Sequence, residues 1–165
     1  FERINLKSIY MKKLFLFLSV SVLAFSLNSC SSDSDSGGNS VGGKITFKIG
    51  SQSKNFNTVI VDEDIVNGGT VDEYTILTVM GTTGNDSGEY VTFSLYKTDL
   101  GPDAIYYFGY FDGSDLYADQ NETFNTNVTV NSNSNKLKGT FSGTINGPAN
   151  GEPLGVTNGS FDIQY

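Results

Sequence analysis

The chain has 165 residues and a formal net charge of −8, and its sequence contains no histidine, no tryptophan and one cysteine. Without histidine, neither a Ser-His-Asp nor a Cys-His catalytic arrangement can be built, and one cysteine forms neither an internal disulfide nor a cysteine-type zinc site. The acidity also argues against nucleic acid as a partner, because neutralisation of phosphates drives that kind of binding.

The first elements in chain order are a short leader and an export signal. Residues 1–10 carry no export pattern, and we interpret them as a mis-assigned start or a remnant. Residues 11–29 have the parts of a secretory signal, namely Lys12 and Lys13 followed by an apolar stretch over 14–27. Because a membrane-spanning helix needs roughly 20 apolar residues, the pattern predicts a signal peptide rather than a transmembrane anchor.

The signal ends in Leu-Asn-Ser-Cys at residues 27–30, which resembles the lipobox of bacterial lipoproteins. The resemblance implies that the Cys30 thiol carries a diacylglyceryl group and that the chain is cut before it. It also implies three acyl chains in the mature protein, and each buried methylene contributes about 0.8 kcal/mol to anchoring. In lipoproteins of the enteric type an Asp after the cysteine marks inner-membrane retention, and Ser31 stands there instead. We therefore expect an outer-membrane lipoprotein.

Residues 30–43, CSSDSDSGGNSVGG, predict a flexible tether. Asp33 and Asp35 alternate with serines, which resembles the acidic tag that directs some Gram-negative lipoproteins to the outer face of the outer membrane. Cell-surface display is the prediction, with a periplasm-facing position as the alternative. Loss of residues 1–29 would leave six lysines and 17 acidic residues, a net charge of −11.

From Lys44 onward, apolar and polar residues alternate in short runs separated by turn-rich loops, a pattern typical of β-strands. We expect one all-β domain over 44–165, an antiparallel β-sandwich or barrel of about eight strands with no amphipathic helix. The last two strands should form a hairpin, with a bulge at Asn158-Gly159. The predicted strands span residues 44–49, 55–61, 73–80, 89–96, 104–111, 123–130, 136–145 and 156–165.

Three segments of this domain carry a second resemblance. The sequences LKGTFSGTI at 137–145 and TNGSFDIQY at 157–165 resemble the C-terminal end of small bacterial surface lipoproteins that are grouped in families of unknown function. The run ITFKI at 45–49 lies where those families begin after the tether. The resemblance implies a surface lipoprotein and no particular reaction or ligand.

The most distinctive motif is the aromatic run at residues 105–111, IYYFGYF. Strict alternation would place Tyr106, Phe108 and Tyr110 on one face, where they could form a stacking platform for sugar rings or another flat ligand. The alternative is a central strand whose two faces both pack into the protein.

An oxygen-rich loop follows, with Asp112, Asp115, Asp119 and Glu122 as candidate Ca²⁺ ligands, since calcium prefers carboxylate and carbonyl oxygens. The segment 62–68, DEDIVNG, resembles a calcium-binding loop, although its glycine comes one residue late for an EF-hand. The alternative for both is a solvated acidic turn, and no other cofactor is indicated.

These observations favour a lipid-anchored, non-enzymatic binding or accessory module. Its partners would be the membrane, through the lipid, and a glycan or a protein. The first alternative is a structural subunit of a membrane-associated assembly without a small ligand. A carboxylate-dependent hydrolase comes third, because no spacing selects a catalytic pair among the acidic residues.

Overall fold

The structure is a computed structural model that describes residues 40–84, 88–119, 124–148 and 152–165. These residues form eleven strands and no helix, so an all-β fold is confirmed for the described part of the chain. The strands are β1 (Ser40–Ile49), β2 (Gln52–Phe56), β3 (Thr58–Val66), β4 (Tyr74–Thr82), β5 (Tyr90–Tyr96), β6 (Gly101–Pro102), β7 (Ile105–Phe111), β8 (Leu116–Ala118), β9 (Asn125–Ser132), β10 (Lys136–Ile145) and β11 (Leu154–Gln164).

The strands join into one antiparallel sheet that curls into a half-barrel rather than a clear two-sheet sandwich. The order is β6-β9-β10-β11-β1-β3-β4-β5-β7-β8, and β2 also pairs with β1. Strand β1 links the two halves, because Ser40 and Val41 pair with β3 while the residues after them pair with β11. At the β8 edge, Ala118 exchanges backbone hydrogen bonds of 2.9 and 2.8 Å with Asn146, just after β10.

The number of strands differs from the predicted eight, although every predicted strand is present. The predicted strand 55–61 is divided at Asn57 between β2 and β3. The short strands β6 and β8 lie in segments that were predicted as loops, and they pair with β9 and β7. A pairing of two or three residues leaves no alternation in the sequence, so pattern alone did not reveal these strands.

Two further segments that were predicted to lie outside strands belong to strands. Residues 40–43, assigned to the tether, form the start of β1. Residues 62–66, assigned to an acidic loop, continue β3, which pairs with β4 as far as Val66 opposite Tyr74. Asp and Glu are depleted in strands, but here their side chains reach solvent while the backbone pairs with β4.

The C-terminal hairpin and its bulge are both confirmed. Phe141 lies opposite Gly159, but Gly143 lies opposite Val156, so β11 carries one extra residue at this point. Asn158 takes up that residue with a φ of 52°, a conformation that Asn tolerates better than most residues. The same irregularity occurs where β11 pairs with β1.

Reciprocal glycine–phenylalanine pairs hold this hairpin together. Gly139 is opposite Phe161, and Gly159 is opposite Phe141. Each phenyl ring lies over the facing glycine so closely that a methyl group on the glycine would overlap the ring. The glycines therefore let two large rings lie flat against the sheet and fill the core.

One hydrophobic core lies inside the curl. Phe93 of β5 meets Phe161 of β11 with ring centroids 5.0 Å apart, and Phe108 of β7 meets Phe141 of β10 at 4.9 Å. These rings come from the two opposite halves of the sheet. The outer face of β4, β5 and β7 therefore points away from the outer face of β1, β11 and β10.

The predicted signal peptide, the predicted lipidation site Cys30 and most of the predicted tether lie outside the described residues, and these predictions remain predictions. Within the described segments there is no helix with the length and apolar character needed to cross a membrane.

Candidate functional site

The predicted aromatic face of Tyr106, Phe108 and Tyr110 does not form. Phe108 and Tyr110 are 1% exposed in the core, whereas Tyr106 is 41% exposed on the outside. The reason is an irregularity between β5 and β7. Ser94 lies opposite Tyr107 but Leu95 lies opposite Ile105, so Tyr106 is an extra residue that bulges out of the alternation.

Phe108 and Tyr110 instead pack into the core, which agrees with the alternative interpretation for one face of the strand only. The Phe47 ring is 6.4 Å from the Phe108 centroid and 5.5 Å from the Tyr110 centroid, both in edge-to-face geometry. Lys54 lies over the Tyr110 ring at 5.7 Å and binds Glu89 at 2.8 Å. Burial by itself would lower the pKa of Lys54, but hydrogen bonds to Glu89 and Tyr110 outweigh it and raise that pKa.

Three tyrosines form a row on the outer surface, one each from β4, β5 and β7. We call Tyr74, Tyr96 and Tyr106 the tyrosine row. The Tyr96 ring lies 5.2 Å from that of Tyr106 at an angle of 36°, and 5.4 Å from that of Tyr74 at 80°. Each of the three residues is 41% exposed. Two inclined rings thus form a platform, and the third stands at its end as a wall.

Strand alternation explains why these side chains point outward. In β5, Val91, Phe93 and Leu95 are fully buried in the core, so the side chains between them point to the outer face, and Tyr96 continues that outer series. In β4, Leu77 and Val79 are buried in the same way, which leaves Tyr74 on the outside. The bulge brings Tyr106 to the same face as its two neighbours.

Polar groups border the tyrosine row. On β3, the exposed residues Asp62 and Asp64 lie opposite Thr78 and Ile76 of β4, and therefore on the same outer face. The hydroxyl groups of Thr78 and Ser94 are 3.4 Å apart between β4 and β5. The row is thus flanked by exposed carboxylate acceptors and by the half-buried Thr78 hydroxyl, whereas Ser94 is only 6% exposed.

The aromatic character continues along the same outer face. Tyr107 lies over Gly109, where a methyl group would meet its hydroxyl oxygen at 2.9 Å. Beyond it, Tyr90 stacks on Phe111 with ring centroids 5.1 Å apart at an angle of 22°. The three residues of this extension are less exposed than the tyrosine row, so the row offers the most accessible rings.

Burial against neighbouring rings raises the pKa of Tyr106 to about 12. The hydroxyl of Tyr96 contributes to this rise, and a hydrogen bond with Ser94 acts in the opposite direction. At neutral pH Tyr106 is therefore uncharged, and its hydroxyl group can both donate and accept hydrogen bonds.

This shift gives a prediction for alkaline stability. The unfolded chain ionises Tyr106 near its ordinary pKa of 10.0, whereas the folded chain holds the proton to about 12. The contribution of the neutral phenol to stability is thus complete below pH 10 and is lost as the pH rises towards 12. Titration of tyrosinate absorbance should show a late-ionising tyrosine that Tyr106→Phe removes, and coincident curves for the variant and the natural chain would contradict this.

The residues predicted to bind a metal do not form a metal-binding group in the described part of the chain. Asp112 accepts backbone hydrogen bonds from Ser114 and Asp115 at 2.8 and 2.9 Å, and these bonds, led by that of Asp115, lower its pKa. The carboxylate thus caps its own turn. Among the described residues, Asp112, Asp115 and Asp119 are not part of any group of three or more that could hold a metal, and Glu122 lies outside them.

The other acidic segment is part of the sheet, and its Glu63 is engaged in an ion pair. Asp62, Glu63 and Asp64 belong to β3 rather than to a loop. Glu63 binds Lys97 through both carboxylate oxygens, at 2.9 and 2.7 Å, and Lys97 also lies 5.9 Å from the centre of the Tyr165 ring. This ion pair links the second half of β3 to the residue after β5.

Sequence reasoning found one member of the tyrosine row and missed the other two. Alternation in β5 does assign Tyr96 to the outer side, and alternation in β4 does the same for Tyr74. Their proximity follows from the β4–β5 register, in which Ile76 is opposite Tyr96. No local pattern predicts that register.

Comparisons with protein-family models, with curated proteins and with solved structures found no match to this chain. The functional proposal therefore rests on the residues of the chain itself.

Proposed function

We propose that this chain is a lipid-anchored protein of the outer membrane, displayed at the cell surface, that binds neutral glycans without catalysis on the tyrosine row. The support for the anchor is the signal pattern over 11–29 and the Leu-Asn-Ser-Cys sequence that ends at Cys30. The support for the binding surface is the exposed arrangement of Tyr74, Tyr96 and Tyr106.

The chemistry of the row fits a sugar better than an aliphatic ligand. A pyranose ring has a face of C–H groups that packs on aromatic rings and a rim of hydroxyl groups that needs hydrogen-bond partners. The rings of Tyr96 and Tyr106 provide the aromatic surface for the C–H face. The hydrogen-bond partners for the sugar hydroxyls are Asp62, Asp64 and the phenolic hydroxyls. One side of the molecule thus presents both kinds of contact.

Charge narrows the class of glycan. The row is bordered by exposed carboxylates on β3, and the chain as a whole carries a net charge of −8. Acidic polysaccharides would be repelled from such a surface, whereas neutral sugars and amino sugars would not. Neutral oligosaccharides are therefore the appropriate first probes.

The test is a thermal-shift screen of residues 37–165 against neutral and acidic oligosaccharides. This fragment matches the compact unit Gly37–Tyr165 and keeps the whole of β1. A bound neutral oligosaccharide should raise the melting temperature by a few degrees at saturation, and acidic ones should not. Flat responses to the whole panel would reject glycan binding and favour the structural-subunit alternative. If the tyrosine row instead captured a protein partner, glycan binding would be rejected and the row would be a protein-docking surface.

A further inference from the structure

The lysines are distributed unevenly over the surface. Four of the six lysines in residues 40–165 lie on the outer side of β1 and β10, the strands on either side of β11. All four are exposed, and we call them the lysine face: Lys44, Lys48, Lys136 and Lys138.

Almost nothing on this side of the protein offsets that charge. Among the described residues that point outward from β1, β10 and β11, Asp162 is the one carboxylate, opposite Lys44 on one side and Lys138 on the other. The Lys138–Asp162 pair is 3.1 Å long, with both side chains 53% exposed, so it stays hydrated and weak. The face therefore carries a net charge of +3 on a chain whose total is −8.

The surface between the lysines carries Ser and Thr hydroxyl groups and is slightly concave. A depression of about 290 Å³ lies between Lys44 and Lys138, and its other polar residues are Thr46, Thr129, Thr140, Ser160 and Asp162. Hydroxyl groups and ammonium groups are the donors that phosphate oxygens accept from.

The chain enters the domain beside this face. The described residues begin at Ser40, and Gly42 lies in the same cross-strand row as Gln164 and Lys136. Cys30 precedes Ser40 by ten positions, a stretch that spans at most about 35 Å when extended. An anchor at Cys30 would thus keep the domain close to the membrane surface without itself imposing an orientation.

We propose that the lysine face lies on the anionic phosphate headgroups of the membrane that holds the chain's own lipid, a proposal that rests on the lipid anchor of the proposed function. Each lysine held at an anionic surface favours that orientation roughly fivefold. A net charge of +3 then favours it by about a hundredfold at low salt, and added salt screens the effect.

This orientation explains the arrangement of the two outer faces. The lysine face and the tyrosine row lie on opposite outer sides of the sheet, because the rings of β5 and β11 meet inside it. A domain that rests on its lysine face turns Tyr74, Tyr96 and Tyr106 away from the membrane. The anchor and the lysine face would act together to present the binding surface outward.

The test uses the lipidated full chain, reconstituted into vesicles of phosphatidylcholine alone or of an equimolar mixture with phosphatidylglycerol. Each lysine is acetylated with an amine-reactive ester and quantified by mass spectrometry. Acetylation of the lysine face should fall several-fold on the anionic vesicles and recover at high salt. Lys54 and Lys97 serve as internal controls because both are paired elsewhere, with Glu89 and Glu63.

Each other outcome counts against the proposal in a distinguishable way. Equal acetylation on both kinds of vesicle, in chains that float with both, would overturn the orientation and leave the anchor intact. Chains that float with neither would overturn the anchor, and the orientation with it. Protection already present in detergent, together with a dimeric mass, would assign the face to a second copy. A variant with all four lysines replaced by Gln should float normally and lose its composition-dependent orientation, detected by the accessibility of Tyr96 to an aqueous iodinating reagent.

Discussion

Replacing Phe141 with alanine is expected to lower the free energy of unfolding by about 4 kcal/mol, the usual loss when a buried phenyl ring is removed from a core. Phe141 is 3% exposed and lies where the two halves of the sheet meet. Its ring centroid is 4.9 to 6.4 Å from four others, those of Phe47, Phe108, Phe124 and Phe161. The cavity would also remove the cover of Gly159 and loosen the C-terminal hairpin.

Phe111→Ala is the matched control for this change. Phe111 is half-buried on the outer face, and the ring it stacks on is that of Tyr90. Its loss should cost about 1 kcal/mol. Urea unfolding of both variants measures the difference, and equal losses would contradict the assignment of the core to the inside of the curl.

The second large effect is expected on binding. Tyr96→Ala should weaken binding of the neutral oligosaccharide selected in the screen by about thirtyfold, or about 2 kcal/mol, as for other central aromatic contacts. Tyr96 is the middle ring of the row and the one that neighbours both of the others. Removing it takes away half of the platform and separates the platform from its wall.

Tyr96→Phe distinguishes the ring from its hydroxyl group. This variant keeps the stacking surface, so we expect its affinity to stay within about threefold of the natural chain. Leu100→Ala changes a residue that is 59% exposed in the loop after β5 and should leave affinity unchanged. Isothermal titration calorimetry measures all three, and a Tyr96→Ala variant that binds as the natural chain does would reject the row as the binding surface.

The strands with clear alternation were predictable from sequence because one face of each is buried. Strand β5 was expected over 89–96 and spans Tyr90–Tyr96, and β10 has the expected bounds of Lys136–Ile145. The bulge at Asn158 was also predictable, since Asn-Gly favours a positive φ inside a strand. These features depend on neighbours in the chain, and sequence patterns report such neighbours well.

The candidate site was less predictable because it depends on neighbours in space. Tyr106 leaves the alternation of β7 through a bulge that is set by the pairing of β7 with β5. Strict alternation therefore placed Tyr106 on the same face as Phe108 and Tyr110, which was wrong. The lysine face likewise needs β1 and β10 on either side of β11, an order that brings residues 44 and 138 together. Pairings between residues so distant in sequence leave no local pattern.

The central claim is that the tyrosine row is the surface that takes a glycan. The most direct measurement is the ring-carbon NMR spectrum of residues 37–165, titrated with the neutral oligosaccharide selected in the screen. The ring signals of Tyr74, Tyr96 and Tyr106 should shift together and saturate with one affinity, while those of the core residue Tyr110 stay in place. Shifts confined to other residues, with the three tyrosines unmoved at saturation, would contradict the claim.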